Sequence, residues 1–248
     1  MQFQSARLKL ERANEHIAEV EKRISLVASP NAQTIWVEDD LNSGVKFIHY
    51  RLDRFADLRD IALILGDAIH NIRSVLDHSW YATLGELAPT LISLHTRFPV
   101  DRTPESLKAR LEGIDLHVIV PALFKLVMVD IKPYEGGDWF IRHLHDLDIR
   151  DKHQLLIPTI NKVKPIGLRV KDHRGSFPVG SHGEERGGEF SVAIPPKLEI
   201  EEKGSVAVEI VLKEGSLEVE EVGAMLHRFA KRVSDLMELL ERFVEFSK

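Results

Sequence analysis

One stretch of the chain combines residue types that could do chemistry. Residues 66–78 read GDAIHNIRSVLDH and contain two Asp, two His, an Asn, an Arg and a Ser, without any Lys or Glu. A solvated helix face is usually rich in long, flexible Lys and Glu side chains. Short, geometrically defined donors and acceptors are more typical of a hydrogen-bonded network or a site. This stretch is therefore the leading candidate for a functional region.

Helical periodicity sorts this stretch into an apolar arc and a polar arc. Apolar residues recur at spacings of three and four, which predicts one buried face. Asp77 follows Arg73 by four residues, a spacing that predicts an ion pair along the helix. Buried polar groups must be satisfied in any protein, so a purely structural network is an alternative interpretation. The polar arc consists of Asp67, His70, Asn71, Arg73, Ser74, Asp77, His78 and Tyr81.

A second concentration of titratable residues lies at 141–153, with the sequence IRHLHDLDIRDKH. The turn-forming residues PYEGG precede it and predict the start of a helix. In that helix His145 and Asp148 are three residues apart and share one side. A solvated helix end, with Lys152 and His153 near the negative end of its dipole, is the alternative. A site requires these residues and the first stretch to converge in the fold.

Three stretches of the chain resemble the characteristic segments of an uncharacterised bacterial protein family. They are GDAIHNIRSVLDH, PYEGG and LHDLDIRDKHQLL, and they match a GDxxHNxRSxLDH helix followed by a DKH segment. The resemblance covers residues 66–156. It implies a shared site and does not supply a reaction.

The helix also resembles the HEPN-type helical ribonuclease domains, through the Arg-x4-His spacing of Arg73 and His78. That resemblance implies a metal-independent RNA endonuclease that works as a homodimer, with RNA as its partner. A guanidinium stabilises charge on a phosphoryl group, and histidines move protons during attack by a ribose 2′-hydroxyl. His70 and Asp77 complete the expected catalytic set. Ser74 departs from the Asn, Asp or His that usually follows the Arg, and residues five apart on a regular helix diverge by about 140°.

A metal site is the second functional interpretation. Asp67 and His70 are three residues apart and project together, and His145 with Asp148 would complete a mixed nitrogen and oxygen set. Such a set suits a divalent metal such as zinc, iron or manganese, which would activate water for phosphoester hydrolysis. The His145–Asp146 pair also resembles that of HD-domain phosphohydrolases. A third interpretation is non-catalytic, with the polar network giving register to a dimer or partner-binding protein.

Composition limits the remaining possibilities. The chain has 248 residues and no cysteine, which excludes disulfides, thiolate nucleophiles and Cys-ligated metals and favours a cytoplasmic location. The net charge of −6 argues against strong non-specific binding to nucleic acid but leaves room for a small basic pocket. The longest apolar stretch contains Pro121 and Lys125 and is too short to span a bilayer, so no membrane association is expected.

The expected fold class is α+β, within a single domain over residues 1–248. Amphipathic helices must bury their apolar stripes, which predicts a helical bundle. Segments rich in β-branched residues and turn formers predict a small antiparallel sheet inserted into it. The helical core comprises residues 1–30, 54–153 and 216–248, and the β-rich parts are residues 33–53 and 155–213.

Local patterns place the individual elements. Strand-forming arms around DLNSG predict a hairpin at 33–53, and the Gly-rich residues 172–188 predict a mobile loop. Ser216 is the expected N-cap of the last helix. Long helices are expected at 3–28, at 54–87 and after Ser216, and shorter ones at 103–112, 118–131 and 138–150.

Overall fold

The computed structural model describes residues 3–154, 156, 158–179, 187–212 and 220–247. Across these residues the fold is α+β, as predicted. The α-helices are α1 (Gln4–Val27), α2 (Leu58–Leu87), α3 (Pro104–Gly113), α4 (Leu116–Ile119), α5 (Pro121–Lys125), α6 (Trp139–Asp151) and α7 (Val222–Phe246). The strands are β1 (Gln33–Asp39), β2 (Lys46–Leu52), β3 (Thr159–Ile166), β4 (Arg169–Asp172), β5 (Gly175–Pro178), β6 (Glu189–Ile194), β7 (Glu199–Glu202), β8 (Ser205–Leu212) and β9 (Glu220–Glu221).

The chain packs into two compact units. The helical unit comprises Met1–Ala18, Leu63–Leu156 and Gly223–Lys248, and the sheet unit comprises Glu19–Ala62 and Ile157–Val222. Helices α1 and α2 therefore contribute residues to both units. The single domain expected over residues 1–248 stays a prediction.

The helical unit is built on the apolar stripes that the sequence predicts. Along α2, Leu65, Ile69, Ile72 and Leu76 are completely buried. Burying each such side chain stabilises the fold by roughly 1.5–3 kcal/mol, so the stripe fixes the rotation of the helix about its axis. That rotation in turn determines the direction of the polar arc.

The helix predicted at 118–131 is wrong as a single element. The chain forms α4, breaks at Val120, forms α5 and continues as a π-helical turn over Leu126–Ile131. Pro121 follows the break, and proline both lacks an N–H and disfavours the α conformation in the preceding residue. Val120 accordingly has φ −135° and ψ 72°.

The sheet unit contains more than the one small sheet expected. In the described residues its strands form three antiparallel sheets with the orders β1-β2-β6, β3-β8-β9 and β5-β4-β7. The predicted hairpin is present as β1 and β2, and β6 extends it. Strands from the two β-rich parts of the sequence therefore share one sheet.

The Gly-rich segment predicted as a loop contains part of a hairpin. Asp172 and Gly175 pair across the β4–β5 hairpin. Residues 180–186 of that segment lie outside the described residues.

The expected N-cap of the last helix, Ser216, also lies outside the described residues. The helix itself begins at Val222.

Candidate functional site

The two polar stretches of the sequence meet in the helical unit, between α2 and α6. His70 Nδ1 lies 2.9 Å from Asp148 Oδ1, and Arg73 Nε donates to His145 Nδ1 at 3.4 Å. A step of three residues forward on α2 corresponds to three residues back on α6, so the helices run antiparallel here. We call these four residues the α2–α6 cluster.

Gly66 allows the end of α6 to approach α2 closely. A Cβ at this position would overlap the carboxylate of Asp151, whose Oδ1 would lie only 2.6 Å away. Burial raises the pKa of Asp151, as do the charges of Asp148 and Asp67, while His70 opposes the shift. The sequence signal for this contact is a glycine inside a strong helical pattern.

His70 is anchored by a buried carboxylate and remains half exposed. Asp148 is 5% exposed, and its Oδ2 accepts a hydrogen bond from Lys152 Nζ at 2.6 Å. An ionised carboxylate only accepts hydrogen bonds, so the proton of neutral His70 lies on Nδ1 and its Nε2 is an acceptor. The His70 side chain is 54% exposed, which leaves Nε2 accessible to a reacting group. We call His70 and Asp148 the dyad.

Arg73 is buried, and each of its three guanidinium nitrogens donates to a protein group. Its Nη1 donates to Asp77 Oδ1 at 2.6 Å, which confirms the predicted ion pair. Its Nη2 donates to the Phe98 carbonyl at 3.1 Å, and Phe98 N donates to Asp77 Oδ1 at 2.8 Å. Arg73 and Asp77 therefore hold both backbone groups of Phe98, and we call this arrangement the clasp.

His145 is kept neutral by its surroundings. Burial, followed by the nearby charges of Arg73 and Arg142, lowers its pKa to about 4 against the opposing effect of Asp148. Because its Nδ1 accepts from Arg73, the proton of the neutral ring lies on Nε2. The cluster thus holds an imidazole that can accept a proton at Nε2 and another that can donate a hydrogen bond.

His143, a second histidine of this stretch, belongs to the core. Its ring centroid lies 4.8 Å from that of Trp139 and 5.5 Å from that of Phe229. Burial lowers its pKa to about 4. Packed between two aromatic rings and 8% exposed, it has a packing role.

Arg73 and His78 differ in their immediate hydrogen-bonding surroundings. In the part of the chain that the structure describes, the two residues share no hydrogen-bond partner. His78 is half-buried, and burial followed by the charge of Lys9 lowers its pKa, against the effect of Asp77. Lys9 Nζ donates to Asn71 Oδ1 at 3.3 Å, so this end of the polar arc is a separate environment.

The predicted metal set gains no geometric support. Of its members, His70 and Asp148 contact each other, but His145 faces a guanidinium and Asp67 is exposed. Among the described residues, no group of three or more His, Asp or Glu side chains is arranged to hold a metal ion.

The loop before α6 fixes where that helix starts. The Lys132 carbonyl accepts hydrogen bonds from the backbone N–H groups of Tyr134 and Asp138, each at 2.8 Å. Gly137 packs so closely on Lys132 that a Cβ would lie 2.8 Å from the Lys132 Cβ. Asp138 caps α6 by accepting from Ile141 N at 3.1 Å. The PYEGG segment is therefore a rigid turn that sets the register of His145 and Asp148.

Asp138 also ties this turn to α7. Its Oδ2 accepts a hydrogen bond from Arg232 Nε at 2.6 Å, and the Asp138 side chain is 7% exposed.

Comparison with known proteins leaves the site to be judged on its own geometry. No protein-family model, curated protein or solved structure matches the chain. The resemblances to the uncharacterised bacterial family and to HEPN domains stay predictions, as does the cytoplasmic location. No helix in the described ranges is long and apolar enough to cross a membrane.

Proposed function

We propose that this chain is an RNA endonuclease that works by imidazole acid–base chemistry, with His70 as the proton acceptor. The observation that carries the proposal is the dyad: a half-exposed imidazole whose Nδ1 lies 2.9 Å from a buried carboxylate. A base oriented by a second group is the arrangement that proton-abstracting sites require. The Arg-x4-His resemblance, which implies ribonuclease chemistry, selects RNA as the substrate.

In the proposed reaction His70 Nε2 removes the proton from a ribose 2′-hydroxyl. The 2′-oxygen forms a bond to phosphorus, the bond from phosphorus to the 5′-oxygen breaks, and water protonates the leaving oxygen. The hydroxide that remains takes the proton from His70 and restores the neutral imidazole. The products are a 2′,3′-cyclic phosphate and a 5′-hydroxyl. The Nε2–H of neutral His145 would donate to a phosphoryl oxygen, and Arg73 acts as a positioning residue behind it.

The charge around the dyad sets how RNA would bind. Lys152, whose side chain is 49% exposed, is the neighbouring cation, while Asp67 and Asp151 repel phosphate. We expect weak RNA binding, with a high KM. Asp67→Asn should lower KM and leave kcat unchanged, since the exposed Asp67 carboxylate acts on bound substrate and transition state alike.

The test is cleavage of a short single-stranded RNA in EDTA, compared with DNA of the same sequence. We expect His70→Ala to reduce cleavage at least about 100-fold, because a positioned acid–base group contributes roughly 10²–10⁴-fold. Asp148→Asn should reduce it less, and His227→Ala, which removes an exposed histidine from α7, should leave it unchanged. Absence of cleavage by the wild type, or unchanged cleavage by His70→Ala, would overturn the proposal.

A homodimer belongs to the same proposal, since the HEPN resemblance implies one. Light scattering on the purified chain measures the oligomeric state directly. Because Arg73 is 4% exposed, a second copy would meet the dyad and not the guanidinium. A monomer that cleaves RNA would remove the dimer from the proposal and keep the chemistry.

A further inference from the structure

A cavity of about 460 Å³ lies in the helical unit, away from the dyad. Its apolar wall comes from α2, α3 and the intervening chain, and includes Trp80, Leu84 and Leu111, which are at most 2% exposed to solvent. Its volume lies in the range of small-molecule sites, roughly 300–1,000 Å³. Nothing in the dyad chemistry uses this space.

The polar rim of the cavity is cationic. Arg97 and Arg110 both line it. Asp101 neutralises Arg110 through contacts at 2.9 and 3.0 Å. No carboxylate pairs with Arg97 in the part of the chain that the structure describes. The rim therefore carries one uncompensated positive charge beside an apolar wall.

Two hydroxyl groups of the same rim are oriented by the backbone. Thr96 Oγ1 accepts from Ser93 N at 2.8 Å, and Ser93 Oγ accepts from His95 N at 3.1 Å. Each hydroxyl has one proton, and within the described ranges neither proton has an acceptor. Both O–H groups are therefore available to donate to a ligand oxygen.

From these features we infer that the cavity binds a small organic carboxylate with an aromatic or branched apolar body. The apolar body would pack against Trp80 and Leu84, and the carboxylate would lie at the rim near Arg97. A guanidinium recognises a carboxylate through two parallel hydrogen bonds, which gives this class of ligand an advantage over a neutral one of the same shape.

The clasp positions one wall of this cavity. Arg97 and Pro99 line the cavity, and Phe98 lies between them with both of its backbone groups held by Arg73 and Asp77. The Phe98 ring also packs edge-on against Trp80, with centroids 5.8 Å apart. Arg73 and Asp77 of α2 therefore hold the segment that carries Arg97, the cation proposed to bind the ligand.

The experiment is calorimetric titration of the full chain with 1-naphthoate and with 1-naphthamide, which have nearly the same shape and differ in charge. We expect the carboxylate to bind about tenfold more tightly, since a hydrogen bond to a charged group contributes about 1.4 kcal/mol or more. Arg97→Gln should abolish that difference and leave the amide affinity unchanged. The matched control is Arg12→Gln, an exposed arginine of α1 that should change neither affinity.

Further variants separate the cavity from the clasp. Ile114→Trp places a larger side chain at a lining position that is 39% exposed. It should lower the affinity for both ligands, because it reduces the space available to them. Asp77→Asn should reduce the preference for the carboxylate, because the segment around Arg97 loses an anchor. Asp148→Asn, which disrupts the dyad, should leave naphthoate binding intact.

Equal wild-type affinity for the two ligands, no binding of either, or the same loss in Arg12→Gln as in Arg97→Gln would overturn the inference. Full affinity in Asp77→Asn would overturn the role of the clasp alone.

Discussion

His70 and Arg73 lie less than one turn apart on α2, and their surroundings are opposite. The His70 side chain is 54% exposed and has one buried partner, whereas Arg73 is 4% exposed and donates to three protein groups. The polar arc that the sequence presents as one surface is therefore two structures. One is an internal clasp that holds a distant segment, and the other is a dyad at the surface.

The difference follows from what covers each residue. The Phe98 segment lies over Arg73, and the Phe98 carbonyl accepts a hydrogen bond from it. The guanidinium is therefore shielded from solvent while it keeps hydrogen-bond partners within the protein. Arginine suits this position because its planar fork can donate in several directions at once and it stays charged. A residue type alone does not distinguish a buried cation that organises the fold from one that binds a substrate.

The largest effect on stability is expected for Arg73→Met, which tests whether the clasp organises the fold. Removing the guanidinium leaves Asp77 without its cation and Phe98 without a donor, and we expect a loss of about 3 kcal/mol in the free energy of unfolding. Urea denaturation measures it. The control Arg12→Met, at an exposed pair on α1, should cost less than about 0.5 kcal/mol. A loss below about 1 kcal/mol for Arg73→Met would show that the clasp does not organise the fold.

Gly66→Ala tests the close approach of α6 to α2. Alanine normally favours a helix, but here its Cβ would overlap the Asp151 carboxylate, which must turn aside, so we expect Gly66→Ala to gain less than the roughly 0.5–1 kcal/mol that alanine gives in a helix interior. Gly85→Ala is the matched control on the same helix, because a Cβ there meets Ile92 Cδ1 at an ordinary 3.7 Å. The control should stabilise the protein by the full roughly 0.5–1 kcal/mol. Equal stabilisation by the two substitutions would contradict the packing described for Asp151.

The buried histidine His143 makes the stability of the fold depend on pH. Burial lowers the pKa of His143 to about 4, below the value of about 6.5 expected for the unfolded chain. Below pH 6.5 the unfolded state therefore binds a proton that the folded state does not, and stability falls as the pH drops from about 6.5 towards 4.

We expect His143→Phe to lose about 2 kcal/mol less stability than the wild type between pH 7.5 and pH 5. His145, whose pKa is also lowered to about 4, mainly by burial, adds acid sensitivity of the same sign in both proteins. Denaturation at the two pH values gives the comparison, and pH 7.5 serves as the internal reference. Identical pH dependence in both proteins would contradict the buried, neutral state of His143.

The smallest effect is expected for His78→Ala. If His70 is the base, the cleavage rate should change less than about twofold, since no contact within the described residues joins His78 to the dyad. If Arg73 and His78 act as the motif pair instead, the same substitution should reduce cleavage to background. The RNA assay in EDTA therefore decides between the two histidines.

Spacing along the sequence predicts the contacts that form within a single helix. The Arg73–Asp77 pair follows from a four-residue step on one helix, and the buried stripe of α2 follows from its apolar period. Pro121 also signals the break at Val120. The apolar pattern continues across it, however, and by itself predicts one helix over 118–131. Elements with a strong period and caps were accordingly placed well.

Long-range partners were beyond the sequence. The partner of Arg73 at Phe98 is a backbone carbonyl, which any residue type would offer. The pairing of His70 with Asp148 rather than with another carboxylate depends on the relative register of α2 and α6. Similarly, the addition of β6 to the β1–β2 hairpin depends on strand order in space, which alternation along each strand does not specify.

The turn around the Lys132 carbonyl fixes where α6 starts, so the number of helical residues after it determines the geometry of the dyad. Each residue inserted or deleted between Asp138 and Asp148 would rotate the position of Asp148 about the helix axis by about 100° and shift it by about 1.5 Å, provided the cap on Asp138 is kept. Asp148 would then point away from His70 even though every side chain of the cluster were still present. In related chains, the spacing between this turn and the DKH segment is therefore a stricter criterion for a working dyad than the identity of the residues inside the turn.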